Sequence, residues 1–153
     1  TQKHTMWNQE AFCLQKAYAI ACDKLGASLN NKLLTILQDQ GPIMTINKLK
    51  ALTNRTKEHD KKLPFQVSKC DYEILTNLRQ FNRFPLRYTR KFNKYHIVIA
   101  SVADSAVSHA FVVHNGTHIT DPMKPSRRYK LGTRARTVLR ITHYITIVQL
   151  KKP

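Results

Sequence analysis

Apolar residues recur at helical spacing near the start of the chain. Over residues 13–25, one face carries Leu14, Ala17, Tyr18, Ala21 and Leu25. Because residues three and four apart lie on the same side of a helix, this pattern predicts a largely buried helix. Gly26 ends it.

The helical pattern continues through the next part of the chain. It restarts over residues 29–40, stops at Gly41-Pro42, and predicts a third helix over 45–53. Ser68 followed by Asp71 has the spacing of a capping signal and predicts a further short helix. The first half of the chain is therefore expected to be helical.

Beyond residue 80 the pattern changes to that of strands, with many Val, Ile, Thr and Tyr residues. The predicted strands cover residues 95–103, 109–114, 117–120 and 141–150. Helices followed by an antiparallel sheet predict the α+β class. We expect one domain over 1–153, with a helical half at about 8–80, a sheet half at about 95–150, and a cleft between them.

Composition restricts the partners more than the fold. The chain has 153 residues, of which 42% are hydrophobic, and a formal net charge of +17. The hydrophobic fraction favours a packed fold over a disordered chain, and the charge indicates an acidic partner such as nucleic acid or another polyanion. Three scattered cysteines form no disulfide framework, which favours an intracellular, reducing compartment. No apolar run is long enough to span a membrane, so we expect none.

The stretch HAFVVHNGTHITDP has the pattern of a β-hairpin with chemistry at both ends. Its turn is at Asn115-Gly116, with His109 before the turn and Asp121 after it. A carboxylate beside an imidazole orients the ring and stabilises its charged form. A regular two-residue turn would pair residue 109 with 122 and put His109 and Asp121 on opposite faces, unless a bulge after Gly116 or an Asp beyond the strand end corrects the register.

Cys13 is the candidate nucleophile for this pair. It stands at the start of the predicted buried helix, where free backbone N–H groups stabilise a thiolate. Just before it, Asn8 and Gln9 offer amide donors for an oxyanion. The structural alternatives are that Cys13 is a small buried hydrophobe, that His109 ends a strand, and that Asp121 starts a turn.

These residues resemble the papain-like cysteine peptidase superfamily. WNQEAFCLQKAYAIA is similar to its oxyanion residue, nucleophile and central helix, and HAFVVHNGTHITDP to its histidine strand and orienting residue. The hairpin is most like the bacteriocin-processing C39-like branch, and the Asn five residues before the Cys is more like viral leader proteases. The resemblance covers about a quarter of the chain. It implies Cys13 as nucleophile, His109 as general base and acid, Asp121 as orienter, and Asn8 or Gln9 as oxyanion donor.

The sequence also fits two other kinds of site. His109, His114, His118 and Asp121 could instead line a metal site, although their spacing lacks a helical His pair or a CxxC partner.

The second alternative is a strip over residues 79–95 in which cations alternate with aromatic residues, a pattern suited to phosphates and stacked bases. Its cations are Arg79, Arg83, Arg87, Arg90, Lys91 and Lys94. A second basic tract runs through Arg127, Arg128, Lys130, Arg134, Arg136 and Arg140. The structural alternative is core aromatics beneath a solvated charged face.

The sequence thus leads to two hypotheses. The first is a papain-like cysteine protease that cleaves a peptide or isopeptide bond of a polypeptide substrate, as in maturation of a viral polyprotein or virion, with no cofactor and no metal. The second is a non-enzymatic basic RNA- or DNA-binding domain that uses the 79–95 strip.

Overall fold

The structure is a computed structural model that describes residues 10–54, 63–70, 95–102, 108–114, 118–130 and 141–152. It begins with a 3-10 turn at Glu10–Phe12 that leads into helix α1, Cys13–Lys24. Helix α2 covers Asn31–Asp39 and helix α3 covers Ile46–Thr53. All three helices therefore lie where apolar residues recur at helical spacing.

Side-chain caps explain where α2 and α3 begin. The side chain of Asn30 accepts a hydrogen bond from the Leu33 N–H, and that of Thr45 accepts one from the Lys48 N–H. Each cap satisfies one of the backbone donors that a helix leaves free at its start. At the other end of α1, Gly26 adopts φ +83°, a left-handed conformation that glycine reaches without steric cost and that ends the helix.

The described strands are β1 (Gln66–Cys70), β2 (Tyr95–Val102), β3 (His109–His114), β4 (His118–Asp121), β5 (Lys124–Lys130) and β6 (Ile141–Lys151). They form one six-stranded antiparallel sheet in the order β1-β6-β2-β3-β4-β5. Three helices from the first part of the chain and an antiparallel sheet mostly from the second confirm the α+β class.

The three helices pack with one face of the sheet around a common apolar core. Its members include Tyr18 of α1, Ile97 of β2, Val112 of β3 and Val148 of β6, all almost fully buried. On strands, alternate residues point to opposite faces. The other face is buried as well, since Val98, Phe111 and Ile147 are at most 1% exposed. The central strands are therefore buried on both faces.

One buried tyrosine ties the first helix to the edge of the sheet. The hydroxyl of Tyr18 donates to the Phe65 carbonyl O at 2.6 Å and accepts from the Phe65 N–H at 3.2 Å. Phe65 directly precedes β1, so both peptide groups are satisfied by α1 before the strand begins. This contact joins the middle of α1 to the start of β1 at the edge of the sheet.

One prediction about local structure is wrong, and the sequence pattern does not predict strands β1 and β5. Ser68, predicted to cap a helix, lies in β1 and pairs with Gln149 of β6, because main-chain pairing with an available sheet edge overrides a local capping pattern. The helix predicted after Asp71 lies outside the described residues. Strand β5 covers the first part of the second basic tract. Its residues are mostly polar, as is common at a sheet edge, so the apolar pattern does not predict it.

Candidate active site

The β3–β4 hairpin brings His109 and Asp121 together. Val112 pairs with Thr120 and His114 with His118, so three residues rather than two separate the strands. Continued in this register, position 121 faces 111, and His109 and Asp121 share one face. Nε2 of His109 lies 2.9 Å from Oδ1 of Asp121, and both side chains are buried. The register thus differs by one residue from that of a regular two-residue turn, and this difference places His109 and Asp121 on the same face.

Asp121 is held by the backbone that follows it. Its Oδ1 also accepts a hydrogen bond from the Met123 N–H at 3.0 Å. The β4–β5 register shifts between Thr120 and Asp121, at the point where β4 ends. Because the same carboxylate oxygen accepts from a fixed peptide and from the imidazole, the ring orientation is set by the main chain.

Cys13 reaches the site from the first residue of α1. Its Sγ accepts a hydrogen bond from the Ala110 N–H at 3.3 Å and lies 3.9 Å from the Ser108 carbonyl O. These two groups belong to the residues on either side of His109. The pairing of β3 with β4 begins only at Val112. Ala110 therefore does not pair with β4, and its N–H donates to the thiol instead. The helix thus places the sulfur beside the histidine.

The second ring nitrogen of His109 is the one available to the thiol. Nε2 is taken by Asp121, while Nδ1 is buried and has no hydrogen-bond partner among the described residues. In the serine protease triad the roles of the two nitrogens are reversed, with Nδ1 on the carboxylate. Catalytic hydrogen bonds are often long before substrate binds, so an unpaired Nδ1 beside a thiol fits a nucleophile–base pair.

The charge state of His109 follows from opposing effects. Burial disfavours the charged ring, but the hydrogen bond to Asp121 and the nearby charges of Asp121 and Cys13 outweigh burial and raise the pKa of His109 to about 9. The ring therefore carries a proton at neutral pH. A protonated imidazole next to a thiol can stabilise a thiolate and can donate its proton to a departing group.

Cys22 is the internal contrast to Cys13. It is fully buried in the apolar core beside Tyr18, and burial raises the pKa of its thiol to about 12. It lies at the opposite end of α1 from the His109–Asp121 pair. Its surroundings are those of a packing cysteine.

Lys16 is a neighbour of the site that the sequence reasoning missed. It lies three residues after Cys13, on the same side of α1, and the charge of Asp121 partly offsets the lowering of its pKa by burial. A helical wheel of α1 could have found it, because positions 13 and 16 share a face. Lys16 therefore adds a positive charge on the carboxylate side of the site.

Several predicted site residues cannot be placed. Asn8 and Gln9 lie outside the described residues, as does the whole strip from Arg79 to Lys94. Arg127, Arg128 and Lys130 lie in β5, and Arg134, Arg136 and Arg140 lie outside the described residues. The oxyanion and nucleic-acid assignments thus stay predictions.

The described residues contain neither a cluster that could hold a metal ion nor a helix that could span a membrane. No group of three His, Cys, Asp or Glu residues in the described ranges could hold a metal ion. Within the same part of the chain, every helix is too short or too polar to cross a bilayer.

Comparison with known proteins adds no assignment. No family model matches the chain, and no curated protein matches it significantly.

Proposed function

We propose that this protein is a papain-like cysteine protease that cleaves a peptide or isopeptide bond. The observation that carries the proposal is the position of the Cys13 sulfur on the Ala110 N–H, directly beside a His109 ring whose Nε2 is held by Asp121. A thiol, an imidazole and a carboxylate in this order are the parts of an activated nucleophile. Neither the packing of α1 nor the pairing of β3 with β4 would by itself require these three side chains to lie together.

The geometry supports a two-step acyl transfer. The Cys13 thiolate attacks the carbonyl carbon, a C–S bond forms, and the carbonyl oxygen becomes an oxyanion. As the oxyanion collapses, protonated His109 gives its proton to the leaving amine and the C–N bond breaks. A water molecule then loses a proton to His109 and attacks the thioester, the C–S bond breaks, and acid and free thiolate result. Asp121 orients the ring and stabilises its charged form throughout.

The buried site suits this chemistry. Cys13, His109 and Asp121 are each at most 6% exposed, so electrostatic interactions among them are poorly screened by water. Asn8 or Gln9 is the proposed oxyanion donor. Maturation of a polyprotein or virion is the proposed setting, where a net charge of +17 would hold the protein near nucleic acid.

The charge also supports the second candidate, a basic nucleic-acid-binding domain. It predicts that affinity for a generic oligonucleotide falls steeply with salt, because bound phosphates release counterions. Affinity that does not change with salt would contradict phosphate contacts. The two functions are compatible on one chain, and they are tested separately.

The protease proposal is tested by labelling with a thiol-directed peptidyl electrophile and locating the adduct by mass spectrometry. Cys13 should be modified selectively, and His109→Ala should abolish the selectivity. His114→Ala is the matched control, since this histidine lies at the other end of the same strand. Equal labelling of Cys22 and Cys70, or full labelling of Cys13 in His109→Ala, would contradict the proposal.

A further inference from the structure

The strand register places a row of aromatic and basic residues across four neighbouring strands of the sheet. Tyr95 of β2 pairs with His114 of β3, which in turn pairs with His118 of β4. His118 also pairs with Lys130 of β5. Directly paired residues of neighbouring strands stand on the same face of a sheet. The four positions therefore form one continuous row on one face, and the row ends at the edge strand β5.

The first two members of the row form an aromatic surface that is only partly buried. The rings of Tyr95 and His114 are stacked, with their centroids 4.1 Å apart and their planes 7° from parallel. Tyr95 packs against the apolar core on the helix side of the sheet, which supports its ring. Both residues are half-buried, whereas Val112 and Val113, just before His114, are at most 1% exposed. A stack of two rings thus remains partly open to solvent at the end of β3.

The other end of the row carries positive charge. Arg128 pairs with Thr120 and lies two residues before Lys130, so both basic residues stand on the face of β5 that belongs to the row. Strands β2 to β5 together contain a single acidic residue, Asp121, whose carboxylate is paired with His109. Those four strands therefore offer no other carboxylate to neutralise the basic residues of β5.

The row joins the two basic parts of the sequence. Tyr95 is the last residue of the strip over 79–95, and Arg128 and Lys130 belong to the second basic tract. Strand pairing brings the end of the first part into one row with the second. Rings and cations that are far apart in sequence are thus neighbours on the sheet.

This row is separate from the candidate active site. His109 is the first residue of β3 and His114 is the last. At 3.4 Å per residue, about 17 Å of strand lies between them. A ligand can therefore occupy the row without filling the site around Cys13.

We propose that this row is a contact surface for single-stranded nucleic acid, formed by Tyr95, His114, His118, Arg128 and Lys130. The inference rests on the second candidate function, nucleic-acid binding, and assigns it to a surface of the described sheet. Bases stack on aromatic rings and phosphates pair with Arg and Lys, so a single strand matches a row with rings at one end and cations at the other. A duplex keeps its bases stacked on one another and offers the rings no free base.

The charged end of the row is tested with two matched substitutions in β5. Arg128→Gln and Arg127→Gln remove the same charge from neighbouring positions, which stand on opposite faces of the strand. Affinity for a fluorescent deoxythymidine oligomer is measured by anisotropy over a range of salt concentrations. Arg128→Gln should lower the slope of log affinity against log salt by about 0.7, and Arg127→Gln should keep the wild-type slope. Equal slopes in the two variants overturn the assignment to this face.

The aromatic end is tested with an abasic oligomer of the same length, which offers phosphates without bases. The wild-type chain should bind the thymidine oligomer about fivefold or more tightly than the abasic one. Tyr95→Leu should remove this difference, and Tyr95→Phe, which keeps the ring, should retain it. Equal wild-type affinity for the two oligomers, or a difference that survives in Tyr95→Leu, overturns stacking on the row. The comparison of the two arginine variants does not depend on whether Tyr95→Leu folds.

The wild-type chain separates this inference from the function on which it rests. If it binds neither oligomer, or binds with an affinity that salt does not change, nucleic-acid binding and the row are overturned together. Salt-dependent wild-type binding with equal slopes in Arg128→Gln and Arg127→Gln overturns only the row. Labelling of Cys13 reports on the protease proposal independently of both.

Discussion

Nε2 of His109 and Oδ1 of Asp121 lie 2.9 Å apart across a hairpin whose connection has three residues. A connection one residue shorter would turn the two side chains to opposite faces of the sheet. The pair therefore depends on a main-chain register as much as on the two side chains. The contact with Asp121 also raises the pKa of the His109 imidazole.

Asp121→Asn should lower the pKa of His109 from about 9, because the remaining burial disfavours the charged ring. The amide oxygen can still accept the Met123 N–H, so the fold should persist. We expect the rate of Cys13 labelling by the peptidyl electrophile to fall roughly 10²- to 10⁴-fold. NMR titration of the ring measures the pKa directly, with His114 as an internal reference. An unchanged His109 titration in the variant would show that the carboxylate does not stabilise the charged ring.

The stability of the protein should depend on pH through His109. Its pKa is higher in the folded chain, about 9, than its ordinary value of 6.5. The folded state therefore binds this proton more tightly, and the stabilisation is fully present below about pH 6.5 and is lost as the pH rises towards 9. Its size is at most about 3 kcal/mol.

Urea unfolding of the wild-type chain and of His109→Gln at pH 6 and pH 9 measures this effect. The difference in unfolding free energy between the two proteins should shrink as the pH rises. Comparison within the pair cancels the pH dependence of the other charged groups. A difference that stays constant, or grows, would contradict the raised pKa of His109.

Tyr18→Phe should destabilise the fold without changing the site chemistry. The hydroxyl is buried and serves both the N–H and the carbonyl O of Phe65, so its loss leaves two buried groups unpaired. We expect the unfolding free energy to fall by about 1–3 kcal/mol in urea titrations. Tyr95→Phe, at a half-buried tyrosine of β2, is the matched control and should change stability by less than about 0.5 kcal/mol. Equal effects of the two substitutions would argue against the Tyr18–Phe65 contact.

Ile43→Asn should stabilise the protein although it removes an apolar side chain. The residue has φ +56° and is 59% exposed, so the substitution relieves backbone strain and loses little burial. We expect a gain in unfolding free energy of about 1 kcal/mol. Leu25→Asn, at an exposed position with ordinary backbone angles, should change stability by less than about 0.5 kcal/mol. A loss of stability in Ile43→Asn would mean that the side chain contributes packing in the native state.

The sequence predicts the helices and the central strands well, for a physical reason. Apolar spacing alone identifies α1 and β3 because each buries a regular face against the common core. Strands β1 and β5 were missed because they lie at the two edges of the sheet, where one side of the strand has no partner and polar residues are favoured. An edge strand is identified by the strand that it pairs with, and a local sequence pattern contains no information about that pairing.

The candidate site was predictable in its residues but less so in its geometry. Cys13, His109 and Asp121 were found from residue type and position in their elements. The length of the hairpin connection was less predictable, because Asn115-Gly116 fits both a regular two-residue turn and a bulge after Gly116, and only the strand register separates them. The positive φ of Ile43 carries no sequence signal, since Ile43 is held by a hydrogen bond from its N–H to the carbonyl O of Ala11, a residue distant in sequence.

The hydrogen bond from Ala110 to the Cys13 sulfur joins positions 97 residues apart. Cys13 and Ala110 can meet only after a long loop has closed and α1 has docked on the sheet, so a chain that is still emerging from the ribosome holds an unassembled site. The onset of Cys13 reactivity during refolding would therefore time the docking of helix and sheet. A site built this way does not exist in any part of the chain alone and forms only when the first helix and the central strands have folded together.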